Sequence, residues 1–216
     1  MLRRRLRISL PLTLRLARLR ETLTPHRPSL EADSSLLWAA VAAILVPSPD
    51  AILLIQRAER HGDPWSGHMA LPGGRREPGD TDLLATAVRE TREEVGISLG
   101  SETIAGCLED VVPRIPTLPP IAVRPFVFLL AERPNIAFNM EVAAARWVSL
   151  DDLLKPGAYA GVDMEQPAGR RVVQAYKVGQ DIIWGMTERI LTSLAEHLQG
   201  QFRPPNLDIR TLLDED

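Results

Sequence analysis

Three glutamates that could bind a metal ion occur close together in the segment 73–97, GGRREPGDTDLLATAVRETREEVGI. Glu90, Glu93 and Glu94 are three and four residues apart, so on a helix their carboxylates share one face. That face is roughly opposite an apolar stripe formed by Leu84, Val88, Thr91 and Val95. Like charges at this spacing repel each other by roughly 0.2 to 0.5 kcal/mol per pair unless a cation lies between them. The pattern therefore favours a divalent metal ion, and the alternative is a solvated acidic face neutralised by Arg89 and Arg92.

The residues before the glutamates predict a loop and then the start of a helix. A Gly-Gly pair at 73–74 and a Pro-Gly pair at 78–79 are typical of backbone that leaves helix and strand geometry. Asp80 or Thr81 is expected to cap the helix, and Gly96 stands where a left-handed C-cap usually ends one. The helix would thus present its glutamates directly behind a glycine loop.

The order of these pieces closely resembles the motif of the Nudix hydrolases. That motif consists of Gly, five residues, Glu, seven residues, Arg-Glu, an apolar residue, any residue, Glu-Glu, any residue, Gly and an apolar residue. The matching residues here are Arg89, Glu90, Glu93, Glu94, Gly96 and Ile97. Two features depart from it. Thr91 replaces an aliphatic residue, and counting from Gly74 puts Asp80 at the first Glu position, with eight residues instead of seven before Arg89.

The resemblance implies a hydrolase of phosphoric anhydrides that depends on Mg2+ or Mn2+. It assigns Glu90 and Glu94 as metal ligands, Glu93 as a further ligand or the base, and the backbone carbonyl of Gly74 as another ligand. Arg89 would orient a glutamate, since Arg89 and Glu93 are in i,i+4 register. Carboxylates suit this task because hard cations prefer oxygen ligands.

Charged residues outside the motif supply further candidates. Family members often use one more carboxylate as base or ligand; Glu141 is the first candidate and Glu109 the second, and each could instead be an exposed loop acid. Four arginines flank the motif and could hold phosphates, or could belong to a solvated loop: Arg57, Arg60, Arg75 and Arg76.

The apolar pattern predicts strands on both sides of the central helix. The predicted strands cover 36–46, 51–56, 65–72, 103–112, 121–130 and 144–148, with a hairpin within 159–178. Further helices are expected over about 11–23, 150–154 and 181–198, and the proline-rich segment 113–120 is expected to be a loop. These elements predict an α+β fold, the α/β/α sandwich with a mixed sheet that the resemblance also implies. The expected divisions are a basic segment at 1–30, a Nudix domain at 31–200 and a tail at 201–216.

Composition limits the cell compartment and the partners. The chain has 216 residues and one cysteine, Cys107, so an intramolecular disulfide is excluded, which fits the cytoplasm. Residues 1–30 contain eight arginines and one acid, giving +7, which leaves −10 for the rest of the net charge of −3. The predicted helix at 11–23 could contact a membrane, although packing against the domain is favoured. A small nucleotide-diphosphate substrate is expected, nucleic acid is not, and a homodimer is an open alternative.

Runs outside the motif are similar to the coenzyme A pyrophosphatase-like branch of the Nudix family. They are the extended lead LPGGRREPGDTD, Leu108-Glu109-Asp110, Arg124-Pro125-Phe126-Val127 and Ile183-Trp184-Gly185-Met186-Thr187. Trp65-Ser66 departs from the histidine-containing approach that is common in that branch. The resemblance implies a nucleoside diphosphate linked to a group X, with coenzyme A or its thioesters first and ADP-ribose, NADH or dinucleoside polyphosphates as alternatives. A non-catalytic ligand sensor on the same fold is the alternative from another class.

Overall fold

A computed structural model of the chain describes residues 12–23, 36–61, 65–113, 120–165 and 169–200. In these ranges the helices are α1 (Leu14–Leu23), α2 (Leu83–Val95), α3 (Leu150–Leu154) and α4 (Gly185–Gln199). The strands are β1 (Leu37–Val46), β2 (Ala51–Arg57), β3 (Met69–Ala70), β4 (Gly73–Arg75), β5 (Ile104–Cys107), β6 (Ile121–Leu129), β7 (Val142–Ser149), β8 (Tyr159–Met164), β9 (Arg171–Val178) and β10 (Asp181–Trp184).

Strand β1 lies at the centre of a mixed sheet that contains seven of the described strands. It pairs in parallel with β6 along its whole length and antiparallel with β2 at its carboxyl end. Its amino-terminal half pairs antiparallel with β4, where Ala40 is opposite Gly74 and Val41 is opposite Gly73. The glycine loop is therefore held against the middle of the sheet, where β2 has moved away from β1.

The sheet is covered on both faces, which explains why β1 is apolar along almost its whole length. One core contains the leucines of α1 and α4 with alternate residues of the sheet such as Leu45 and Leu54. The other contains Val95 of α2 with the intervening residues, such as Ile44 and Phe128. This is the predicted α/β/α sandwich, an α+β fold with a mixed sheet.

Strands β8, β9 and β10 form a separate antiparallel sheet beside α4. The predicted hairpin corresponds to β8 and β9, with Tyr159 opposite Tyr176. The ring of Trp184 at the end of β10 packs at a tilt of 55° against that of His68 just before β3, with ring centroids 4.7 Å apart. This contact joins the small sheet to the segment that leads into the glycine loop.

Three predicted elements differ from the structure. The strand expected at 65–72 is only Met69–Ala70, after a turn at 65–67, and the one expected at 103–112 is Ile104–Cys107 followed by an isolated bridge between Val111 and Val123. The helix expected at 181–198 begins at Gly185, because 181–184 pairs with β9 instead. In the last case, pairing in a hairpin overrides the helical periodicity of these four residues.

Helix α1 is part of the described domain, within the range predicted for it. Leu16, Leu19 and Leu23 are 0–1% exposed in the core that α4 also lines. None of the described helices combines the length and apolar character needed to cross a membrane. The arginines before residue 12, most of the 113–120 loop and the 201–216 tail lie outside the described residues, and the predicted domain boundaries stay predictions.

Candidate active site

Helix α2 begins and ends with specific caps. The Asp82 side chain accepts a hydrogen bond from the Ala85 amide at 2.7 Å, so the N-cap is Asp82, and the prediction of Asp80 or Thr81 was wrong. At the other end Gly96 has φ 72° and its amide donates to the Arg92 carbonyl, which confirms the predicted C-cap. Two residues at the ends of the helix thus fix where its glutamates lie.

Glu94 is the most buried of the three glutamates, with 3% of its surface exposed. Its Oε2 accepts a hydrogen bond from the Gly73 amide at 2.8 Å. Burial raises the pKa of Glu94 to about 7; the Gly73 amide and the charge of Arg57 act to lower this pKa, whereas the Glu90 charge acts to raise it. Glu94 is thus a carboxylate held in a poorly solvated position by the backbone of the glycine loop.

Glu90 lies one turn before Glu94 and contacts the same loop. A Cβ atom placed on Gly74 would lie 2.4 Å from Glu90 Oε1, so the carboxylate rests directly against that glycine. Burial raises the pKa of Glu90, and the nearby charge of Arg89 acts to lower it. Glu90 and Glu94 therefore form a close pair of carboxylates facing the glycine loop.

Glu93 is in a different environment from this pair. Its side chain is 50% exposed, and its Oε2 accepts a hydrogen bond from Arg89 Nη1 at 3.1 Å, in the predicted i,i+4 register. The prediction that all three glutamates share one face opposite the apolar stripe was wrong, because Glu94 lies on the buried side of α2 with Thr91. Consecutive helical residues are about 100° apart, so Glu93 and Glu94 point in different directions.

Asp80 holds Arg89 in place, a role that the sequence left open. The guanidinium donates to Asp80 from Nε at 2.9 Å and from Nη2 at 3.0 Å, and the Thr86 hydroxyl and Glu77 amide also donate to this carboxylate. These contacts hold the pKa of Asp80 well below its usual value and raise that of Arg89. Arg89 is therefore fixed where it reaches both Glu90 and Glu93, each at 3.1 Å.

The residues of this site fit a hydrated divalent cation better than a closed metal cage. Among the described residues, no group of three His, Cys, Asp or Glu side chains is arranged to hold a metal. Mg2+ is usually held by one or two carboxylates, with several waters and the substrate phosphates as its other ligands. The Glu90–Glu94 pair suits that requirement because both groups are oxygen donors beside the backbone of the glycine loop, and a dication would stabilise the charged forms that burial disfavours.

Glu141 lies close enough to this pair to influence it electrostatically. Its charge is among the factors that raise the pKa values of Glu90 and Glu94. Its side chain is 49% exposed, and Oε1 accepts a hydrogen bond from Arg60 Nη2 at 2.8 Å. By contrast, the charge of Glu109 acts on the thiol of Cys107, whose pKa is raised mainly by burial.

The arginines that were predicted to bind phosphate lie at different depths. Arg57 is half-buried and its charge reaches Glu94. Arg75 and Arg76 are exposed; the Arg75 carbonyl accepts a hydrogen bond from Arg89 Nη2 at 3.1 Å, and Arg76 Nη2 donates to the Asp80 carbonyl at 3.4 Å. Their roles, like those of the glutamates, stay predictions.

Thr86 and Asp82 were not predicted as contributors to the geometry of the site, and the role of Asp80 was left open. The available signal for Asp80 was its place at the first Glu position of the motif, nine residues before the arginine that it binds. No periodic pattern distinguishes Thr86 from an ordinary helical residue.

Comparison with known proteins gives matches over most of the chain. A family model described as the NUDIX domain matches residues 36–165. The chain is 39% identical over 127 residues to a Schizosaccharomyces pombe protein named C14C4.10c, a match that covers 56% of this chain and 39% of that protein. It is 32% identical over 176 residues to the uncharacterized Nudix hydrolase NudL of Photorhabdus laumondii, covering 81% of this chain and 91% of that protein.

The chain is also similar to the solved structure of a MutT/nudix family protein from Enterococcus faecalis. The TM-score is 0.58 and the identity 17%, and the match covers 88% of this chain and 72% of that one. At this identity the likeness shows the fold alone.

Proposed function

Because this chain belongs to the Nudix family of hydrolases, and is therefore an enzyme that acts on phosphoric anhydrides, we propose that it is a pyrophosphohydrolase dependent on Mg2+ or Mn2+. Its substrate is a nucleoside diphosphate linked to a group X, and the reaction cleaves the diphosphate. The observation that carries the proposal is the Glu90–Glu94 pair, which contacts the glycine loop through Gly74 and through the 2.8 Å hydrogen bond from Gly73.

The proposed reaction needs groups that hold a cation and groups that move a proton. A bound divalent cation would neutralise the phosphate oxygens and acidify a water molecule. Glu90, Glu94 and the Gly74 carbonyl would hold it, with Glu93 as a further ligand. Arg89 keeps Glu90 and Glu93 in place, and Asp80 keeps Arg89 in place. The arginines Arg57, Arg75 and Arg76 would contact the substrate phosphates.

Glu141 is the better candidate for the base. In the reaction the water oxygen adds to one phosphorus, the bridging P–O bond breaks, and the water proton passes to a carboxylate. Glu93 and Glu141 each accept a hydrogen bond from an arginine, so this contact does not separate them. Glu93 is already assigned above as a further metal ligand, whereas Glu141 has no ligand role and its charge acts on both Glu90 and Glu94. Glu141→Gln is expected to lower kcat by roughly 100-fold or more, as is usual for loss of a general base.

Coenzyme A or its thioesters are the first candidates for X. This is supported by the resemblance of the runs outside the motif to the coenzyme A pyrophosphatase-like branch. The small substrate, the cytoplasmic location and the homodimer stay predictions.

The test is a panel of diphosphate compounds, assayed with Mg2+ and with Mn2+, whose products are identified by mass. The panel contains coenzyme A, an acyl-coenzyme A, ADP-ribose, NADH and a dinucleoside tetraphosphate. Cleavage of coenzyme A between the two phosphates is expected, and preference for another compound would reassign X. Tight binding of one compound without turnover under any metal condition would instead favour the sensor.

A further inference from the structure

Arg60 lies beside the site, and its side chain forms an ion pair with Glu141, the proposed base. Its Nη2 lies 2.8 Å from Glu141 Oε1, and the two side chains are 50% and 49% exposed. Ion pairs this exposed contribute little to stability, because water solvates both charges well when they separate. Either side chain can therefore leave this ion pair for a stronger partner at a small cost in free energy.

The backbones of both residues are fixed, so that only the side chains can change partner. The Arg60 amide donates to Ser66 Oγ at 2.8 Å, and Ser66 Oγ donates back to the Arg60 carbonyl at 2.9 Å. The Glu141 carbonyl accepts from the Ala58 amide at 2.8 Å, and its amide donates to Asn139 Oδ1 at 2.8 Å.

The Glu141 segment is also tied directly to the catalytic helix. The Asn139 amide donates to the carbonyl of Glu94 at 3.1 Å, just two residues before Glu141. The Glu141 side chain therefore moves on a backbone that is tied to α2, close enough to the carboxylate pair for its charge to raise both pKa values.

We propose that Arg60 is a positioning residue that exchanges partners: it holds the Glu141 carboxylate in the free protein and moves to a phosphate oxygen when a diphosphate binds, which releases Glu141 toward the Glu90–Glu94 pair. A guanidinium can bind a phosphate through two parallel hydrogen bonds, whereas Arg60 reaches the exposed Glu141 carboxylate through the single Nη2–Oε1 contact, which gives the exchange its direction. The inference rests on the proposed function in taking the ligand to be a diphosphate. Substrate binding itself would then free the base.

A binding cycle with α,β-methylene-ADP, a non-hydrolysable diphosphate, tests the exchange in the presence of Mg2+. Calorimetry gives Kd for the wild type, Arg60→Ala, Glu141→Gln and the double variant. Arg60→Ala is expected to weaken binding about tenfold, the amount typical of one good phosphate contact. Glu141→Gln is expected to tighten binding about threefold, because Arg60 no longer has to leave a carboxylate.

The double variant separates exchange from simple repulsion between Glu141 and the ligand. Under exchange, Glu141→Gln has no effect once Arg60 is absent. An equal tightening in both backgrounds means that Glu141 only repels the phosphates, and this overturns the proposal. Unchanged affinity in Arg60→Ala also overturns it, because Arg60 then makes no phosphate contact.

Turnover provides a second readout that a purely structural pair would not give. Arg60→Ala is expected to raise KM while kcat stays within about twofold, and Arg60→Lys, which keeps the charge, to recover part of the loss. If Arg60 instead held Glu141 in its working position, Arg60→Ala would lower kcat as Glu141→Gln does. Arg146, 46% exposed and paired with Asp181, is the matched control, and Arg146→Ala is expected to change neither Kd nor KM.

Failure of the exchange and failure of the proposed function have different outcomes. A wild type that hydrolyses a compound of the substrate panel but shows no coupling in the cycle keeps its function and loses the exchange. A wild type that neither hydrolyses the panel nor binds α,β-methylene-ADP overturns both.

Discussion

At the scale of single residues, burial divides the glutamates of α2 into two kinds. Glu94 is 3% exposed and Glu90 rests on the glycine loop, whereas the side chain of Glu93 is half exposed. A buried carboxylate is costly unless it is paired or bound to a cation. Binding a cation would offset the cost of burying Glu90 and Glu94, whereas the exposed Glu93 carries no such cost. Substitutions of the three residues should therefore have different effects.

Replacing Glu94 by glutamine tests the metal assignment. An amide is a much poorer ligand than a carboxylate for a hard dication, so Glu94→Gln is expected to lower kcat by roughly 100-fold or more. The amide oxygen can still accept the Gly73 hydrogen bond, so the fold should be kept. Turnover at varied Mg2+ concentration is the measurement, with circular dichroism to check the fold.

Glu102→Gln serves as the control, because it makes the same chemical change at an exposed turn residue. Unchanged turnover in Glu94→Gln would remove Glu94 from the site.

The raised pKa of Glu94 also predicts how stability depends on pH when metal is removed. Its folded-state pKa is about 7 and its ordinary value is 4.5, so the folded protein holds this proton more tightly than the unfolded chain does. Stability from this group is thus present below pH 4.5 and is lost as pH rises toward 7. Relative to Glu94→Gln, the free energy of unfolding of the wild type should fall over this range by about 3 kcal/mol.

Urea denaturation in EDTA at a series of pH values measures this difference. The glutamine variant cancels the contributions of groups that do not interact with Glu94, including Asp80, whose lowered pKa acts in the opposite direction. Parallel pH curves for the two proteins would contradict the pKa of Glu94. Adding Mg2+ at pH 8 should stabilise the wild type more than the variant, because only the wild type carries the charged ligand.

At the scale of elements, strand β4 brings two glycines against two different neighbours. A Cβ on Gly73, where φ is 150°, would lie 2.3 Å from the Ala40 carbonyl oxygen and 2.5 Å from the Val41 Cα. A Cβ on Gly74 would instead meet the carboxylate of Glu90, which is the end of a flexible side chain. A side chain at Gly73 would therefore disturb the sheet, whereas one at Gly74 would displace a carboxylate of the site.

Alanine at each position should separate these two effects. Gly73→Ala is expected to destabilise the protein by about 3 kcal/mol or more, because neither the sheet backbone nor the strained φ can adjust. Gly74→Ala is expected to keep most of the stability but to lose most of kcat, because Glu90 must move away from the loop. Thermal denaturation and turnover, measured on both variants, check this; a Gly74→Ala enzyme with normal kcat would contradict the position of Glu90.

The sequence predicts elements well where the signal is local. Gly96 ends α2 as predicted from its residue type, and α3 covers the predicted residues 150–154, with Ser149 accepting a hydrogen bond from the Asp151 amide at its start. It fails where pairing with another segment overrides the periodicity of a short run. The four residues of β10 continue the helical periodicity of α4, yet they pair with β9 across the two-residue turn at 179–180.

The same limit applies to the candidate site. Motif spacing identified the glutamates, but the burial of Glu94 depends on the glycine loop, which pairs with β1 more than thirty residues earlier in the chain. The contact between Arg60 and Glu141 joins residues 81 positions apart. Only the fold of the whole domain brings such residues together.

At the scale of the whole molecule, helix α1 closes the core on the face opposite α2. Leu16, Leu19 and Leu23 are buried in the same core as residues of α4. Outside the core, the Thr13 hydroxyl donates to Asp50 at 2.8 Å, and Arg15 Nη2 lies 2.8 Å from Asp151. The apolar face that could have contacted a membrane is occupied by the domain itself.

Shortening one of these leucines tests whether α1 is structural. Leu19 is 1% exposed, so Leu19→Ala should lower the free energy of unfolding by about 2 to 5 kcal/mol, the usual cost of a core cavity. Leu14 lies on the same helix but is 68% exposed, and Leu14→Ala should change it by less than about 0.5 kcal/mol. Urea denaturation of both variants measures the difference between them, in which the shared effect of alanine on the helix cancels.

Liposome binding of the same two variants tests the alternative role of α1, which is contact with a membrane. If α1 stays packed, its leucines are unavailable, and neither substitution should change binding to anionic vesicles. A protein in which Leu19→Ala left stability unchanged but weakened vesicle binding would place α1 outside the core. The basic segment would then be a membrane tether. Its apolar face would contribute nothing to folding, and the lost vesicle binding would mean that this face is buried in the lipid.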